Sequence, residues 1–276
     1  MLDDQTRQAG DILSWGIEGE AVSEDNVKDA LAKAGLPATA LKRLSPKVAF
    51  ARAIKPLEDT GVLVEKVSRT GNIIRYQFTD EANDGKSIIH SEKCFVTLDV
   101  YTGETTSTDS AIAEHVRLWM IDQFAKRTNQ DITYLVQKLF KNNADLFPIN
   151  RNKGVAYFMP SKHSEFADKV EKFLDEVGGY LDRWPVPEGT RRGGRAIAKA
   201  VRGGLNQLLD DLEYAVKLFD DDTRSGTVKR KTADYEVAKA KIDAYAQFLW
   251  GTQSELLVRA DKIRDSLRKK LSELSE

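Results

Sequence analysis

Cysteine is almost missing from this chain. Cys94 is the only one, so no intramolecular disulfide can form, and a reducing compartment is the natural setting. Histidine is nearly as scarce, at three residues in 276, which leaves few nucleophile–base pairs for covalent chemistry. Long apolar runs are missing too. Nothing approaches the roughly 20 residues that a membrane-spanning helix needs, so no membrane partner is expected. The opening MLDDQTRQAG has neither the basic nor the apolar stretch of a signal peptide, which points to a cytoplasmic protein. Net charge is close to zero, at −1, whereas a protein that coats nucleic acid along its whole length would be strongly basic. The sequence also carries no Walker A loop, dinucleotide fingerprint, GxSxG elbow or HExxH pair. No catalytic residue, cofactor or metal is expected, and the chain reads as a binding protein rather than an enzyme.

What is present is an α+β pattern, mostly helical, in three parts: 1–108, 109–188 and 189–276. In the first part Ser23 caps a helix that runs to Ala34, with acidic residues in its first turn. Ser45-Pro46 starts another, whose stripe is Val48, Ala49, Ala51, Ile54 and Leu57, and Gly61 ends it. Two strands follow, Val62 to Val67 and Ile73 to Thr79, about the turn Thr70-Gly71-Asn72. Ile88 to Val100 alternates as a further strand, so a small antiparallel sheet is expected. His90 and Cys94 share a face of that strand without converging on one metal ion, and both are read as structural.

This helix, then Leu57-x3-Gly61-x-Leu63, then a basic hairpin closing on Tyr76-x-Phe78-Thr79, resembles a winged-helix module over about residues 20–82. Asp25 to Ala34 and Ala38 to Leu44 would supply its two earlier helices. Pro56, inside the helix that would read DNA, departs from the pattern. The resemblance implies either nucleic-acid binding or protein docking. Between Pro37 and Thr79 eight basic residues stand against three acidic ones, which favours phosphate contact. The contacts implied are Lys47, Arg52 and Lys55 on the helix, with Lys66, Arg69 and Arg75 on the wing.

The middle part reads as a helix capped by Asp109 or Ser110, a second helix over Asp131 to Lys141, and then a strand–helix–strand unit. That unit comprises Gly154 to Pro160, Ser164 to Val177 and Tyr180 to Val186. The polar turn over 150–154 lacks the spacing of a phosphate-binding loop. Beyond Gly189 helix formers take over. Arg191, Arg192, Arg195, Lys199 and Arg202 precede any acidic residue, and the first three offer a second phosphate-contacting surface. Asp220-Asp221-Asp222 reads as a solvated loop rather than a metal site.

The last helix is expected from Lys231 to Leu271, roughly 60 Å long at about 1.5 Å per residue. It is longer than its mate over 195–219, so a helical hairpin, coiled-coil-like, would leave an apolar stripe unpartnered. Ile242, Tyr245, Leu249 and Leu256 would then bind a protein partner or a second copy. The leading expectation is an adaptor that joins a larger assembly through this arm. The alternative is a winged-helix protein that binds DNA or RNA, with the arm as its dimerisation element.

Overall fold

The computed structural model describes residues 7–19, 21–83, 88–149, 156–189, 191–220, 222–249 and 251–274. The polar turn at 150–154 lies outside the described residues, as do Asp221 and the side chains of His90 and Arg191. Strand β1 (Gln8–Ile17) comes first, with the short β2 (Ala21–Ser23), helix α1 (Glu24–Lys33), a single 3-10 turn (Ala38–Ala40) and helix α2 (Pro46–Glu58). Four strands follow: β3 (Val62–Thr70), β4 (Ile73–Asn83), β5 (Ile88–Asp99) and β6 (Thr105–Ser107). Helix α3 (Ser110–Phe124), strand β7 (Lys126–Thr128) and helix α4 (Asn129–Asn143) lead to β8 (Phe147–Pro148) and β9 (Tyr157–Pro160). After α5 (Ser164–Glu176) and β10 (Gly179–Pro187) come three helices, α6 (Arg191–Lys217), α7 (Ser225–Ala244) and α8 (Gln253–Glu273). The fold is α+β with small antiparallel sheets. Among the described residues no helix is long and apolar enough to cross a membrane.

Two compact units divide these elements. The first takes the described residues up to Gly16, Leu139–Glu171 and everything from Tyr180 onward; the second takes Ile17–Lys138 and Lys172–Gly179. Neither follows the boundaries expected at 108/109 and 188/189.

In the second unit, β3-β4-β5-β6 form one antiparallel meander. Alternation along β4 and β5 buries Ile74, Phe78, Cys94, Val96 and Leu98. Helices α2 and α3 cover that face with Ala49, Phe50, Ala53, Ile54, Val116 and Met120, and Phe50 stacks on Tyr76 at 4.6 Å. Local signals set the helix starts. Ser23, Ser45 and Asp109 each accept a backbone N–H in the first turn of α1, α2 and α3. Pro56 falls in the last turn of α2. The expected helix–hairpin is present, but its setting differs from the expectation. The segment Ala38 to Leu44 makes one 3-10 turn rather than a helix, and β5 pairs with β4 along its whole length.

In the first unit the sheet order is β10-β1-β9-β8. The expected strand–helix–strand unit is there as β9, α5 and β10, but β1 lies between its two strands. Gly10 opposes Pro160 in the β1–β9 register. A Cβ at Gly10 would sit 2.1 Å from the Met159 carbonyl oxygen, so the pairing requires glycine there. Asp11, 2% exposed, is balanced by Arg183 of β10 at 3.0 Å.

Helices α6, α7 and α8 build the core of this unit from Ile197, Leu205, Leu209, Val228, Ile242 and Ile263, among others. α6 runs unbroken through its glycines. Gly204 explains one of them, because a Cβ there would lie 2.8 Å from the Phe147 ring. The single long helix expected from Lys231 to Leu271 is instead two. α7 stops at Ala244, a 3-10 turn spans Ala246–Phe248, and Gly251 takes a left-handed φ of 84° before α8 starts. The Thr252 hydroxyl donates to the Leu249 carbonyl at 2.6 Å and satisfies a backbone acceptor in the turn. α8 therefore supplies the packing partner that a straight helix would have lacked.

Candidate nucleic-acid interface

The six cations of the helix and hairpin that are expected to contact phosphate do not form one surface. Arg52 is taken up by Asp131 in a two-point pair at 2.7 and 2.8 Å. Lys55 lies within 3.3 Å of Asp59 and 3.7 Å of Glu58. On the hairpin, Lys66 pairs with Tyr76, Arg69 with Ile74, and Ser68 with Arg75. Cross-strand partners share a face, so Lys66 and Arg69 point to the side that α2 and α3 cover. Arg75 points to the other side, where its guanidinium lies 3.9 Å from the centre of the Phe95 ring. Lys47 is exposed in the first turn of α2. A recognition helix and wing acting together would need these cations on one side, and the register separates them.

The C-terminal cations behave differently. Arg192 and Arg195 are exposed on the first turns of α6, and so are Lys199 and Arg202. The spacing of three, four and three places all four on one helical face, over about 15 Å of helix. None of the four makes an ion pair with another described residue. Further along the same face, Asn206, Asp210 and Glu213 are engaged by Arg259 of α8, at 2.7, 2.7 and 3.0 Å. The second half of the face thus carries carboxylates paired with Arg259, and the first half carries cations alone. The sequence assigns phosphate contact to Arg191, Arg192 and Arg195, and counts Lys199 and Arg202 among the same charges without giving them a role. The recurrence of Lys199 and Arg202 at helical spacing was the signal for the other two.

The helix end adds to this charge. The N-terminus of a helix carries a partial positive charge from its unsatisfied N–H groups, which favours carboxylates and disfavours cations. α6 has no acidic residue in its first turn. Arg192 therefore sits where the helix itself gains nothing from it and where an anion would gain from both.

A second dense polar cluster lies in the first unit around Asp145. Its carboxylate accepts from Lys241 at 2.6 Å and from the Tyr245 hydroxyl at 2.5 Å. His163 Nε2 lies 3.3 Å away and Lys162 Nζ 3.4 Å. The Tyr245 ring packs edge-on against Phe147 at 4.9 Å. The cluster ties α7 to the β8 and β9 ends. Among the described residues no group of three or more His, Cys, Asp or Glu side chains is arranged to hold a metal ion.

The four residues expected to bind a protein partner carry no surface. Ile242, Tyr245, Leu249 and Leu256 are 0, 2, 2 and 3% exposed, within the three-helix core. They correct the arm reading: the stripe is the inside of the unit.

A family model described as a family of unknown function (DUF6744) matches residues 9–276. Nothing among the comparisons indicates a winged-helix family. No curated protein and no solved structure matches the chain.

Proposed function

This chain belongs to the family of unknown function DUF6744, and from its charged surface we propose that it binds nucleic acid through the phosphate backbone, without base readout, using the basic face of α6. One observation carries the reading: Arg192, Arg195, Lys199 and Arg202 are exposed and aligned on a single helical face, and none makes an ion pair with another described residue. Four cations over about 15 Å match a run of backbone phosphates, and released counterions supply the affinity. Phosphate contacts of this kind position a protein on a strand but do not read sequence. The near-zero net charge of the chain confines such binding to this local surface.

A protein-recruiting role through the C-terminal helices had rested on Ile242, Tyr245, Leu249 and Leu256. Burial of all four removes the surface behind that reading.

The test is fluorescence anisotropy with labelled single- and double-stranded oligonucleotides of unrelated sequence, titrated across salt. Neutralising four phosphates gives a slope of log affinity against log salt of about −2.8 on single strands and about −3.6 on duplex DNA. Affinity that does not fall with salt, or no binding at low salt, defeats the reading.

A further inference from the structure

The second unit contains a cleft of about 320 Å³ that the α6 surface does not explain. Its charged lining is Glu24 and Lys28 of α1, Lys42 and Arg43 of the loop before α2, and Arg127 of β7. Four cations therefore share one carboxylate.

That carboxylate is already committed. Glu24 accepts from Lys28 at 2.7 Å and from Arg127 Nη2. Arg127 is 2% exposed. Its Nη1 donates to the carbonyls of Lys126 and Phe124, at 2.6 and 3.1 Å, and its Nε has no hydrogen-bond partner among the described residues. A buried guanidinium with an unused donor is costly unless something compensates it. Lys42 and Arg43 make no ion pair with any described residue. They are also held in place. Ala40 and Leu44 on either side of them are buried, and Lys138 donates to the Ala40 carbonyl at 2.8 Å. The two cations stand at the cleft on a pinned loop, so little ordering entropy opposes their use.

The remaining wall is apolar, with Leu44 and Phe124 among it. The volume is at the lower end of the roughly 300–1,000 Å³ of small-molecule sites. It suits a compact group and not a strand passing through. We propose that this cleft binds a phosphate monoester with a small organic body, of the size of a nucleoside monophosphate. Arg43 and Lys42 meet the dianionic phosphate beside Arg127, and Phe124 packs against the body. Arginine recognises phosphate by its two-pronged geometry and lysine as a point charge.

The experiment is calorimetric titration of the full chain with a nucleoside 5′-monophosphate, the matching nucleoside and inorganic phosphate. The monophosphate is expected to bind, the nucleoside roughly a hundredfold more weakly, and inorganic phosphate roughly tenfold more weakly. Because Arg127 is buried and its replacement threatens folding, the variants are K42E with R43E. These are expected to cut monophosphate affinity by more than about tenfold with an unchanged melting curve. A second pair, R195E with K199E, is expected to leave that affinity unchanged. The inference is overturned by equal binding of nucleoside and monophosphate, or of inorganic phosphate and monophosphate. It is also overturned by full affinity in the Lys42 and Arg43 variant, or by loss of affinity in the α6 variant. Each result is independent of oligonucleotide binding, so the two proposals fail separately.

Discussion

Arg52 and Asp131 meet through two parallel hydrogen bonds, Nη1 to Oδ2 at 2.7 Å and Nη2 to Oδ1 at 2.8 Å. The pair joins α2 to the start of α4. Asp131 also accepts from the Thr128 N–H at 2.9 Å and the Thr128 hydroxyl at 3.1 Å. Burial works to raise the Asp131 carboxyl, but the Arg52 guanidinium and the Thr128 donors outweigh it and hold it below the usual carboxylate range. A cation so engaged is a structural strut. R52A is expected to cost about 2 kcal/mol in urea unfolding, and to leave oligonucleotide affinity within about twofold. The depressed carboxyl gives the sign of the pH effect. Its contribution is complete above the unfolded value of about 3.9 and is lost as pH falls through the lower folded value. The stability gap between wild type and R52A is therefore expected to close on acidification below about pH 4.

Asp145 performs the same task for the first unit with more partners. Burial alone would raise its carboxyl, yet Lys241, Tyr245 and His163 together depress it well below the ordinary range. Burial depresses the His163 imidazole, and the Asp145 charge opposes this without reversing it. Burial and the Asp145 carboxylate both raise the Tyr245 phenol. Both Asp145 and His163 have folded values under their unfolded ones. Each adds stability that is present above its unfolded value and lost as pH falls. The expected profile loses stability in two stages, first from about pH 6.5 and then from about pH 4. D145N is expected to lower stability at pH 7 by about 3 kcal/mol and to flatten the second stage. Thermal unfolding followed across pH checks both, and an unchanged acid limb in the variant contradicts the assignment.

Tyr245 and Leu249 provide a sharper contrast between a core and a docking stripe. A charge at an exposed docking stripe abolishes association and spares the fold. At 2% exposure each, the same charges are shut off from water. A glutamate at 245 would also face Asp145. Y245E with L249E is expected to remove the cooperative unfolding of the three-helix core, a loss of several kcal/mol. Near-ultraviolet circular dichroism reads this directly. Y245F keeps the ring against Phe147 and loses only the hydroxyl bond to Asp145, for a cost of about 1–2 kcal/mol. A well-folded double glutamate variant contradicts the packing.

These elements also separate what local sequence reveals from what it does not. α1, α2 and α3 were readable because Ser23, Ser45 and Asp109 announce their own helices within a turn. β3 and β4 were readable because the turn between them is adjacent to both. β1 was not, since Gly10 and Asp11 interrupt its apolar pattern. The reasons for both residues, the Met159 carbonyl and Arg183, lie far along the chain. The break between α7 and α8 was hidden for another reason. The apolar positions Ile242, Tyr245, Leu249 and Leu256 keep a near-helical rhythm across the turn, because every one of them faces the same core. For the site, sequence counts cations but not their partners. Arg52 is taken up by an aspartate 79 residues away, whereas Arg192 and Arg195 make no ion pair with a described residue, since no acidic residue is near them on the helix.

The α6 face offers a test in which affinity and stability move in opposite directions. Cations in the first turn of a helix oppose its macrodipole, and carboxylates there favour it. Arg192 thus weakens the helix that carries it, and it makes no compensating ion pair with any described residue. R192E with R195E is expected to raise the thermal midpoint slightly while lowering oligonucleotide affinity by at least about tenfold at low salt. The salt slope should lose close to two units of its magnitude, one for each phosphate contact removed. A purely solvated face behaves differently, since charge reversal there changes neither affinity nor slope. Anisotropy and differential scanning calorimetry on the same preparation separate the outcomes. If the variant melts higher and binds as before, the basic face has no anionic ligand. If it melts higher and releases the strand, the destabilising arginines are retained for binding.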